Sequence, residues 1–263
     1  MMFNPEEILK STQKAVSDAA AYIKSEVGQV SDHDIEEKEL NSLVSYVDKT
    51  AEEMLVKSLG SILPEAGFIT EEETEDIKDR KLTWIIDPLD GTTNYLHQIP
   101  HFSVSVALRY ESDVVMGLVH EVMRDEQFYA VKGKGAFMND RPIKVSNKSG
   151  LDQVLVATGF PYTNHYNVDA SFDRLKSFLM KSRGMRRMGS AALDLSYVAI
   201  GRLGVYYEGS LNAWDLAAGA LIVEEAGGKV SDYAGTNSFL KSGEIIASAP
   251  QFYDEVMEIL QQQ

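Results

Sequence analysis

Carboxylate side chains stand at three separated places in this sequence, each beside apolar or glycine-containing residues. The first place is the run EEE at 71–73, the second is WIIDPLDGTTN at 84–94, and the third is WDLAAG at 214–219. Carboxylate oxygens are hard ligands of the kind that Mg²⁺ prefers in proteins. If the chain brings the three places together, the sequence predicts a site for divalent cations.

The second place carries the strongest signal because an apolar run leads directly into two aspartates. Pro88 favours an extended backbone at Asp87, which therefore continues the strand rather than starting a helix. Asp90 follows three residues later, and the carbonyl of Leu89 lies between the two side chains in the chain. One short loop would thus offer two carboxylates and a backbone oxygen to hard cations.

The same loop continues into residues suited to binding an anion. Gly91 permits a sharp turn that brings backbone close to a ligand. Thr92 and Thr93 favour a helix start, where the first N–H groups lack intrahelical acceptors and attract phosphate. The simpler interpretation is a well-capped turn with an aspartate as a local acceptor. That interpretation does not explain why both aspartates end a buried strand.

The first and third places have equally simple structural interpretations. Three adjacent glutamates are typical of a solvated loop, although the apolar pair Phe68 and Ile69 could anchor one end of this one. Asp215 is a suitable N-cap, so the sequence predicts a helix that begins there. Neither place would indicate a metal site by itself.

Periodicity predicts the elements that hold these residues. Asn4 and Pro5 begin an amphipathic helix that Gly28 ends, residues 31–39 form an exposed loop, and a second helix covers 46–59. Alternating residues from 102 onward predict an antiparallel meander. After residue 146 the predicted segments alternate between strand and helix. The predicted strands are 82–86, 102–109, 114–120, 127–131, 154–157, 185–188, 205–208, a short one near 230 and 245–247. The predicted helices are 170–181 and those that begin at 191, 215 and 251.

Composition limits the class of protein. The 263 residues carry a net charge of −15. Because affinity for nucleic acid comes from clustered Lys and Arg, this charge predicts that the protein has no nucleic-acid partner. The absence of cysteine excludes disulfides and a cysteine nucleophile, and together with the absence of a secretory signal it predicts a cytoplasmic location. No apolar run is long enough for a membrane span. We expect one unit over 1–263, with an N-terminal half to about 145 and a C-terminal half from 146.

These segments, taken in order, resemble the signatures of the inositol monophosphatase family. The resemblance rests on DPLDGTTN at 87–94, WDLAAG at 214–219 and the acidic pair at 71–72, and it extends over nearly the whole chain. It implies a layered αβαβα sandwich (the sugar phosphatase fold), Mg²⁺-dependent and lithium-sensitive hydrolysis of a phosphate monoester by metal-activated water, and a homodimer.

The resemblance also implies roles for individual residues. Two or three Mg²⁺ ions would be held by Glu71, Asp87, the Leu89 carbonyl, Asp90 and Asp215. Glu71, Thr92 and Asp48 would be catalytic, Gly91 and Thr92 would bind phosphate, and Gly189, Ser190, Ala191 and Glu208 would contact the substrate. The segment 160–162 would form a wall of the pocket. The family often has Asp-Leu-Val-Thr where this chain has SLVS at 42–45, which puts that segment's contribution to a third metal in doubt.

Several alternatives remain open at the level of sequence. Inositol monophosphate is the preferred substrate, while nucleotide 3′-phosphates, NADP or fructose 1,6-bisphosphate would use the same site. A glycosidase would use the carboxylates as an acid/base pair without metal. A non-enzymatic regulatory role, as a binding protein, is a third possibility.

Overall fold

A computed structural model of the protein describes residues 4–39, 42–72, 80–160 and 168–261. Its helices are α1 (Pro5–Ser25), α2 (Tyr46–Ile62), α3 (Thr92–Leu96), α4 (Val168–Lys181), α5 (Ala191–Ala199), α6 (Ala213–Glu225), α7 (Phe239–Ser242) and α8 (Tyr253–Gln261). Its strands are β1 (Ile35–Glu39), β2 (Ser42–Ser45), β3 (Gly67–Thr70), β4 (Leu82–Asp90), β5 (Ser103–Tyr110), β6 (Asp113–Glu121), β7 (Glu126–Val131), β8 (Ala136–Met138), β9 (Arg141–Pro142), β10 (Leu155–Thr158), β11 (Gly184–Arg186), β12 (Val205–Glu208), β13 (Lys229–Ser231) and β14 (Ile245–Ser248).

The first large sheet has seven strands in chain order, from β3 to β9. The strands from β4 onward pair antiparallel with their neighbours, which confirms the predicted meander, and β3 pairs parallel with β4. A parallel pair places the carboxyl ends of both strands at the same sheet edge. The residues that follow β3 and those that end β4 therefore lie close together.

The second large sheet has five strands in the order β11-β10-β12-β14-β13. Strands β11, β10 and β12 are parallel, whereas β14 runs antiparallel to both β12 and β13. The two large sheets occupy residues 67–142 and 155–248, on either side of position 145. The predicted division into two halves of one unit stays a prediction.

Three buried apolar clusters show how the layers stack. Alternate residues of β4 point to opposite faces, so that Trp84 joins α1 and α2 on one face while Ile85 packs towards α5 and α6 on the other. In the second sheet Tyr206 faces α5 and α6, and Val205 faces α4 and α8. The order is helices, sheet, helices, sheet, helices, which is the expected αβαβα sandwich.

The sequence predicted the beginning of α1 correctly, but its prediction for residues 31–39 was wrong. Asn4 accepts a hydrogen bond from the Glu6 amide and Pro5 begins the helix, as predicted. The prediction of a loop over residues 31–39 is wrong, because β1 pairs antiparallel with β2, with Ile35 opposite Ser45. Strands are recognised in a sequence by the alternation of apolar and polar residues. The strand β1 is mostly charged and lacks that alternation, because it pairs with β2 in a two-stranded sheet. Among the described helices, none combines the length and the apolar character required to cross a bilayer.

Candidate active site

Three aspartates from two distant parts of the chain meet at one point. Asp87 and Asp90 lie at the end of β4, and Asp215 lies in the first turn of α6. One carboxylate oxygen from each lies within 4.8 Å of the other two. The pairing of β4 with β5 shifts register between Asp87 and Asp90, and such an irregularity re-aims side chains away from strict alternation. Both aspartates therefore reach the same side of the strand end.

These carboxyl groups are deprived of water and repel one another. Burial raises the pKa of Asp87 well above its usual value, and the nearby charges of Glu71, Asp90 and Asp215 raise it further. Burial and the charges of Asp90 and Glu71 raise the pKa of Asp215 in the same way. Buried carboxyl groups that raise one another's pKa are costly as anions unless cations accompany them.

Asp215 is held by the beginning of α6, but not as its N-cap. The predicted capping role is wrong: Asn212 is the N-cap, and α6 begins at Ala213. Asp215 is the third helical residue, and its Oδ2 accepts a hydrogen bond of 2.6 Å from the Asn212 amide. This reciprocal capping arrangement uses one carboxylate oxygen and leaves the other for the cluster.

Glu71 reaches the cluster because β3 runs parallel to β4. It follows Thr70, the last residue of β3, which pairs with Ile86. The fully buried side chain of Glu52 in α2 accepts a hydrogen bond of 2.8 Å from the Glu72 amide. Glu52 thus fixes the backbone that carries Glu71. Its position on the buried face of α2 was not recognised in the sequence, since a glutamate in a helix normally indicates a solvated face.

Asp48 and Thr92 form the predicted pair beside the cluster. The Thr92 hydroxyl lies 3.0 Å from Asp48 Oδ1 and 3.0 Å from the Leu89 carbonyl. The other Asp48 oxygen accepts hydrogen bonds from the amide and hydroxyl of Ser45, at 2.9 and 2.7 Å. Burial raises the pKa of Asp48, and these hydrogen bonds oppose that rise. The start of α2 therefore holds the carboxylate that orients Thr92.

Gly91 provides the turn between β4 and α3. Its φ of +96° lies in the left-handed region, and a Cβ at this position would lie 3.1 Å from the Gly189 carbonyl. Only glycine fits that space comfortably. Helix α3 then begins at Thr92, as predicted, and Gly91, Thr92 and Thr93 line the cleft. The first amides of a helix lack intrahelical acceptors.

Asp90 is anchored to the beginning of α5. Its Oδ2 accepts hydrogen bonds from the Ser190 hydroxyl at 2.5 Å and the Ala192 amide at 2.8 Å, and its Oδ1 accepts one from the Ala191 amide at 3.3 Å. Burial raises the pKa of Asp90 to about 6 although these hydrogen bonds lower it. The predicted substrate residues Ser190 and Ala191 thus direct their donors to Asp90, and together with Gly189 they form a wall of the cleft.

Glu208 lines the cleft at the residue where β12 ends. The Tyr206 hydroxyl donates a hydrogen bond of 2.6 Å to its Oε2. Burial raises the pKa of Glu208 to about 7, and the Tyr206 hydrogen bond and the charge of Arg187 limit the rise. Gly159 lies against this carboxylate so closely that a Cβ would overlap it. Beneath it, Asp194 is buried and its Oδ1 has no hydrogen-bond partner among the described residues.

A cleft of about 190 Å³ joins these groups. The cleft is lined by residues that the sequence indicated, which are Glu71, Asp90, Gly91, Thr92, Thr93, Gly189, Ser190, Ala191, Glu208 and Asp215. Leu43, Arg187 and Leu211 also line it, and the sequence did not indicate them. Of the expected wall at 160–162, Phe160 is partly exposed, while residues 161 and 162 lie outside the described part of the chain.

The αβαβα layers and the carboxylate cluster at the ends of β3, β4 and α6 define a protein of the sugar phosphatase fold with a candidate metal centre. The family profile described as "Inositol monophosphatase family" matches residues 4–263. The chain belongs to the inositol monophosphatase family.

Two relatives and one solved structure illustrate the similarity. Nus factor SuhB of Pasteurella multocida is 42% identical over 225 residues, which cover 85% of this chain and 84% of the relative. Inositol-1-monophosphatase of Mesorhizobium japonicum is 38% identical over 244 residues, which cover 91% of each. The crystal structure of extragenic suppressor protein suhB from Bartonella henselae has a TM-score of 0.93 and 36% identity, and the match covers 97% of this chain and 99% of that one.

Proposed function

We propose that this protein hydrolyses the phosphate monoester of a small molecule in a Mg²⁺-dependent reaction, with inositol monophosphate as the preferred substrate. The observation that carries the proposal is the convergence of Asp87, Asp90 and Asp215, whose oxygens lie within 4.8 Å of one another beside the start of α3. The similarity to the inositol-1-monophosphatase of Mesorhizobium japonicum supports the choice of substrate.

The donor set fits Mg²⁺ and not a softer metal. Every candidate ligand is an oxygen atom, and the described residues place no histidine in the cluster. Repulsion among neighbouring carboxylates contributes to the raised pKa values of Asp87 and Asp215, and a divalent cation would offset that repulsion. Glu71, Asp87, the Leu89 carbonyl, Asp90 and Asp215 would hold two or three ions. When bound, Mg²⁺ would neutralise the phosphate, activate the attacking water and stabilise the leaving oxygen.

The chain's own residues would orient the reactants. The amides of Gly91 and Thr92 would bind the phosphate at the first turn of α3. When the Thr92 hydroxyl donates its hydrogen to Asp48, its lone pairs remain available to accept a hydrogen bond from water. Glu71 would accept the water proton. Since phosphoryl transfer depends mainly on positioning and charge stabilisation, no protein nucleophile is needed.

Substrate recognition would come from the C-terminal half of the cleft. The Glu208 carboxylate would accept hydrogen bonds from substrate hydroxyl groups, while Gly189, Ser190 and Ala191 would contact the substrate through the wall that they form. The Ser190 hydroxyl and the Ala191 amide already donate hydrogen bonds to Asp90. We therefore expect these two residues to contact the substrate through atoms other than those two donors.

Phosphate release across a panel of substrates tests this proposal. We expect inositol monophosphate to be hydrolysed faster than nucleotide 3′-phosphates, NADP or fructose 1,6-bisphosphate, and we expect chelation or lithium to inhibit the reaction. If inositol phosphates rank among the slowest substrates, a sister phosphatase is the better assignment. Hydrolysis of glycosides that persists after complete chelation would instead favour a glycosidase.

Asp90→Asn should reduce the rate by at least about 100-fold, because loss of a metal-holding carboxylate removes charge and geometry together. The folded state should persist, since an asparagine oxygen at the place of Asp90 Oδ2 still accepts hydrogen bonds from the Ser190 hydroxyl and the Ala192 amide, and only the 3.3 Å hydrogen bond from the Ala191 amide is lost. Phosphate release and circular dichroism measure the two effects. A variant with a rate within a few-fold of the wild type would contradict the proposed metal site.

Relatives named Nus factor SuhB favour a second candidate, a regulatory binding role that does not need turnover. Replacement of the chromosomal gene by the Asp90→Asn allele separates the two. Growth like that of the wild type would support the regulatory role, whereas growth like that of a deletion strain would support the enzyme.

A homodimer is the assembly that we propose. Supporting it, α4 presents the apolar side chains of Phe172, Leu179 and Met180 to solvent, and Phe160 stacks on Phe172 with ring centroids 6.4 Å apart. Light scattering coupled to size exclusion would measure the mass, with Leu179→Glu expected to shift it towards the monomer. A cytoplasmic location stays a prediction.

A further inference from the structure

The side chain of Asn94 in α3 bonds to two loops that are distant in the sequence, the loop before β5 and the loop before α5. Its Nδ2 donates hydrogen bonds of 2.8 Å to the His101 carbonyl and 2.8 Å to the Met188 carbonyl, and it lies 3.5 Å from the Gly189 carbonyl. Three carbonyl oxygens around one atom can be satisfied only by a donor, so the amide nitrogen must face them. Without that nitrogen, partly buried carbonyls would face one another unpaired.

The segment after β4 and the loop before α5 are in close backbone contact at two glycines. Gly91 and Gly189 both have a positive φ, of +96° and +89°. A Cβ at Gly91 would lie 3.1 Å from the Gly189 carbonyl, and a Cβ at Gly189 would lie 3.0 Å from Asn94 Nδ2. The segment after β4, which comprises Gly91 and α3, therefore touches the loop before α5 through backbone and through the Asn94 amide.

The segment after β4 and the loop before α5 both adjoin residues of the candidate metal centre. On one side, Asp90 lies four residues before Asn94. On the other side, Ser190 directly follows Gly189 and donates the hydrogen bond of 2.5 Å to Asp90, and the Ala192 amide adds one of 2.8 Å. Whatever fixes the Met188 and Gly189 carbonyls also fixes the distance between the beginning of α5 and the Asp90 carboxylate.

We propose that Asn94 is a positioning residue that clamps the loop before α5 onto the segment after β4, and that it thereby sets the geometry with which Asp90 would hold Mg²⁺. The inference rests on the metal site of the proposed function. Asn94 is not among the residues that line the cleft, and it would act on the metal site through Gly189, Ser190 and Asp90.

Removal of the clamp should weaken Mg²⁺ binding. In Asn94→Ala the loop before α5 can withdraw, and the donors on Asp90 lose their alignment. Partners that orient metal-binding carboxylates typically change metal affinity by about 10- to 100-fold when removed. We expect an increase of about tenfold in the Mg²⁺ dissociation constant, and a fall in the rate of phosphate release at limiting Mg²⁺.

Isothermal titration calorimetry of the chelator-treated full-length protein with MgCl₂ measures this effect without turnover. Gln127→Ala is a matched control. The Gln127 amide also joins distant elements, with Nε2 3.3 Å from the Gln13 carbonyl and 3.2 Å from Ser17 Oγ, but it lies between α1 and β7 away from the cleft. The control should lose stability and keep its Mg²⁺ affinity, which a merely structural role of Asn94 would also predict for Asn94→Ala.

A Mg²⁺ dissociation constant within twofold of the wild type in Asn94→Ala would overturn the proposal, even with a lowered melting temperature. If Asn94→Ala does not fold, Asn94→Leu, which has nearly the same shape and no donor, is judged by the same criterion. The outcome is distinct from that of the proposed function: a wild-type protein that binds Mg²⁺ but releases no phosphate refutes the phosphatase and leaves the clamp standing.

Discussion

At the scale of the residue, the site is dominated by carboxyl groups that the fold has removed from water. Burial is the largest cause of the raised pKa values of Asp87, Asp90, Asp215 and Glu208, and mutual repulsion or a local hydrogen bond adjusts each one. Such groups reduce the stability of the metal-free protein, and the same charges favour cations. The balance between these effects depends on pH and can be measured.

The pH dependence of stability should reveal the buried Glu208 carboxyl. Its pKa is about 7 in the folded protein against an ordinary value of 4.5, so the folded state binds its proton more tightly. The penalty is absent below about pH 4.5 and grows until about pH 7. In chelator, Glu208→Gln should therefore gain unfolding free energy relative to the wild type as the pH rises through this range.

The comparison with Glu208→Gln is needed because other groups act in the opposite direction. Burial lowers the pKa of His101 to about 4, so its contribution to stability increases as the pH rises. Subtraction of the wild-type curve removes that contribution. Urea unfolding at several pH values gives the difference, and a difference that stays constant between pH 4.5 and 7 would refute the assignment.

Gly159 offers a test of the Glu208 position that moves the carboxylate without removing it. In Gly159→Ala the added methyl would overlap the carboxylate and displace it from the cleft. Loss of one hydrogen bond to a charged group corresponds to about a tenfold weaker interaction. We expect KM for inositol monophosphate to rise about tenfold while kcat changes little, as measured by steady-state phosphate release.

Gly60→Ala is the matched control for this substitution. Its Cβ would make an ordinary contact, 3.7 Å from the Phe68 ring, within the helix α2. Alanine in a helix interior should stabilise the protein by about 0.5–1 kcal/mol and leave KM unchanged. An unchanged KM in both variants would show that Glu208 does not contact the substrate.

At the scale of the element, α6 is the part that brings Asp215 to the other aspartates. It packs so closely on β6 that a Cβ at Gly117 would lie 2.7 Å from the Ala218 carbonyl. On its other side, a Cβ at Gly219 would lie 2.6 Å from the side chain of Leu195 in α5. These close contacts fix the position of α6 between the first sheet and α5. Asn212 caps the beginning of the helix.

Gly117→Ala should disturb stability and activity together. The methyl group would push against the backbone of α6, which cannot move away without losing its contacts on the other side. Overpacking of this kind typically costs about 1–3 kcal/mol. Urea unfolding measures the loss, and phosphate release should fall as Asp215 shifts. Wild-type stability in this variant would show that α6 is free to move.

At the scale of the whole molecule, the candidate site joins residues from both large parts of the sandwich. Asp87 and Asp90 belong to the seven-stranded sheet, Asp215 to α6, and Ser190 to the loop before α5. Helices α5 and α6 pack between the two sheets, so that the central apolar cluster draws side chains from both. A cation bound there would connect these parts and would favour the folded state only.

Mg²⁺ should therefore raise the melting temperature. A ligand at 100 times its dissociation constant stabilises the folded state by about 2.7 kcal/mol. For a chain of this length, that corresponds to a rise of roughly 5–10 °C. Differential scanning fluorimetry with MgCl₂, compared with KCl of equal ionic strength, measures the shift. Asp90→Asn should respond weakly, and an equal response in both proteins would contradict the assigned site.

The order of helices and strands was largely predictable because most elements carry a clear period or a cap. The strand 205–208 was placed with its observed bounds, and α1 began where Asn4 and Pro5 indicated. The failures occurred where tertiary context overrides local signals. Residues 35–39 form a strand because β2 pairs with them, and α6 begins before Asp215 because Asn212 caps it.

The sequence by itself determined the chemistry: which carboxylates follow apolar strands, where glycine allows a turn, and which family the motifs resemble. Only the tertiary structure decided the distances, since Asp87 and Asp215 meet through the packing of α6 on the first sheet and not through any local pattern. It also decided that Glu52 is buried beneath the Glu72 amide and that Asn94 bonds to the Met188 carbonyl. Such contacts join residues that are far apart in the chain. The periodicity of a sequence predicts which face of a helix or strand a residue occupies, but it does not predict which distant residue packs against that face.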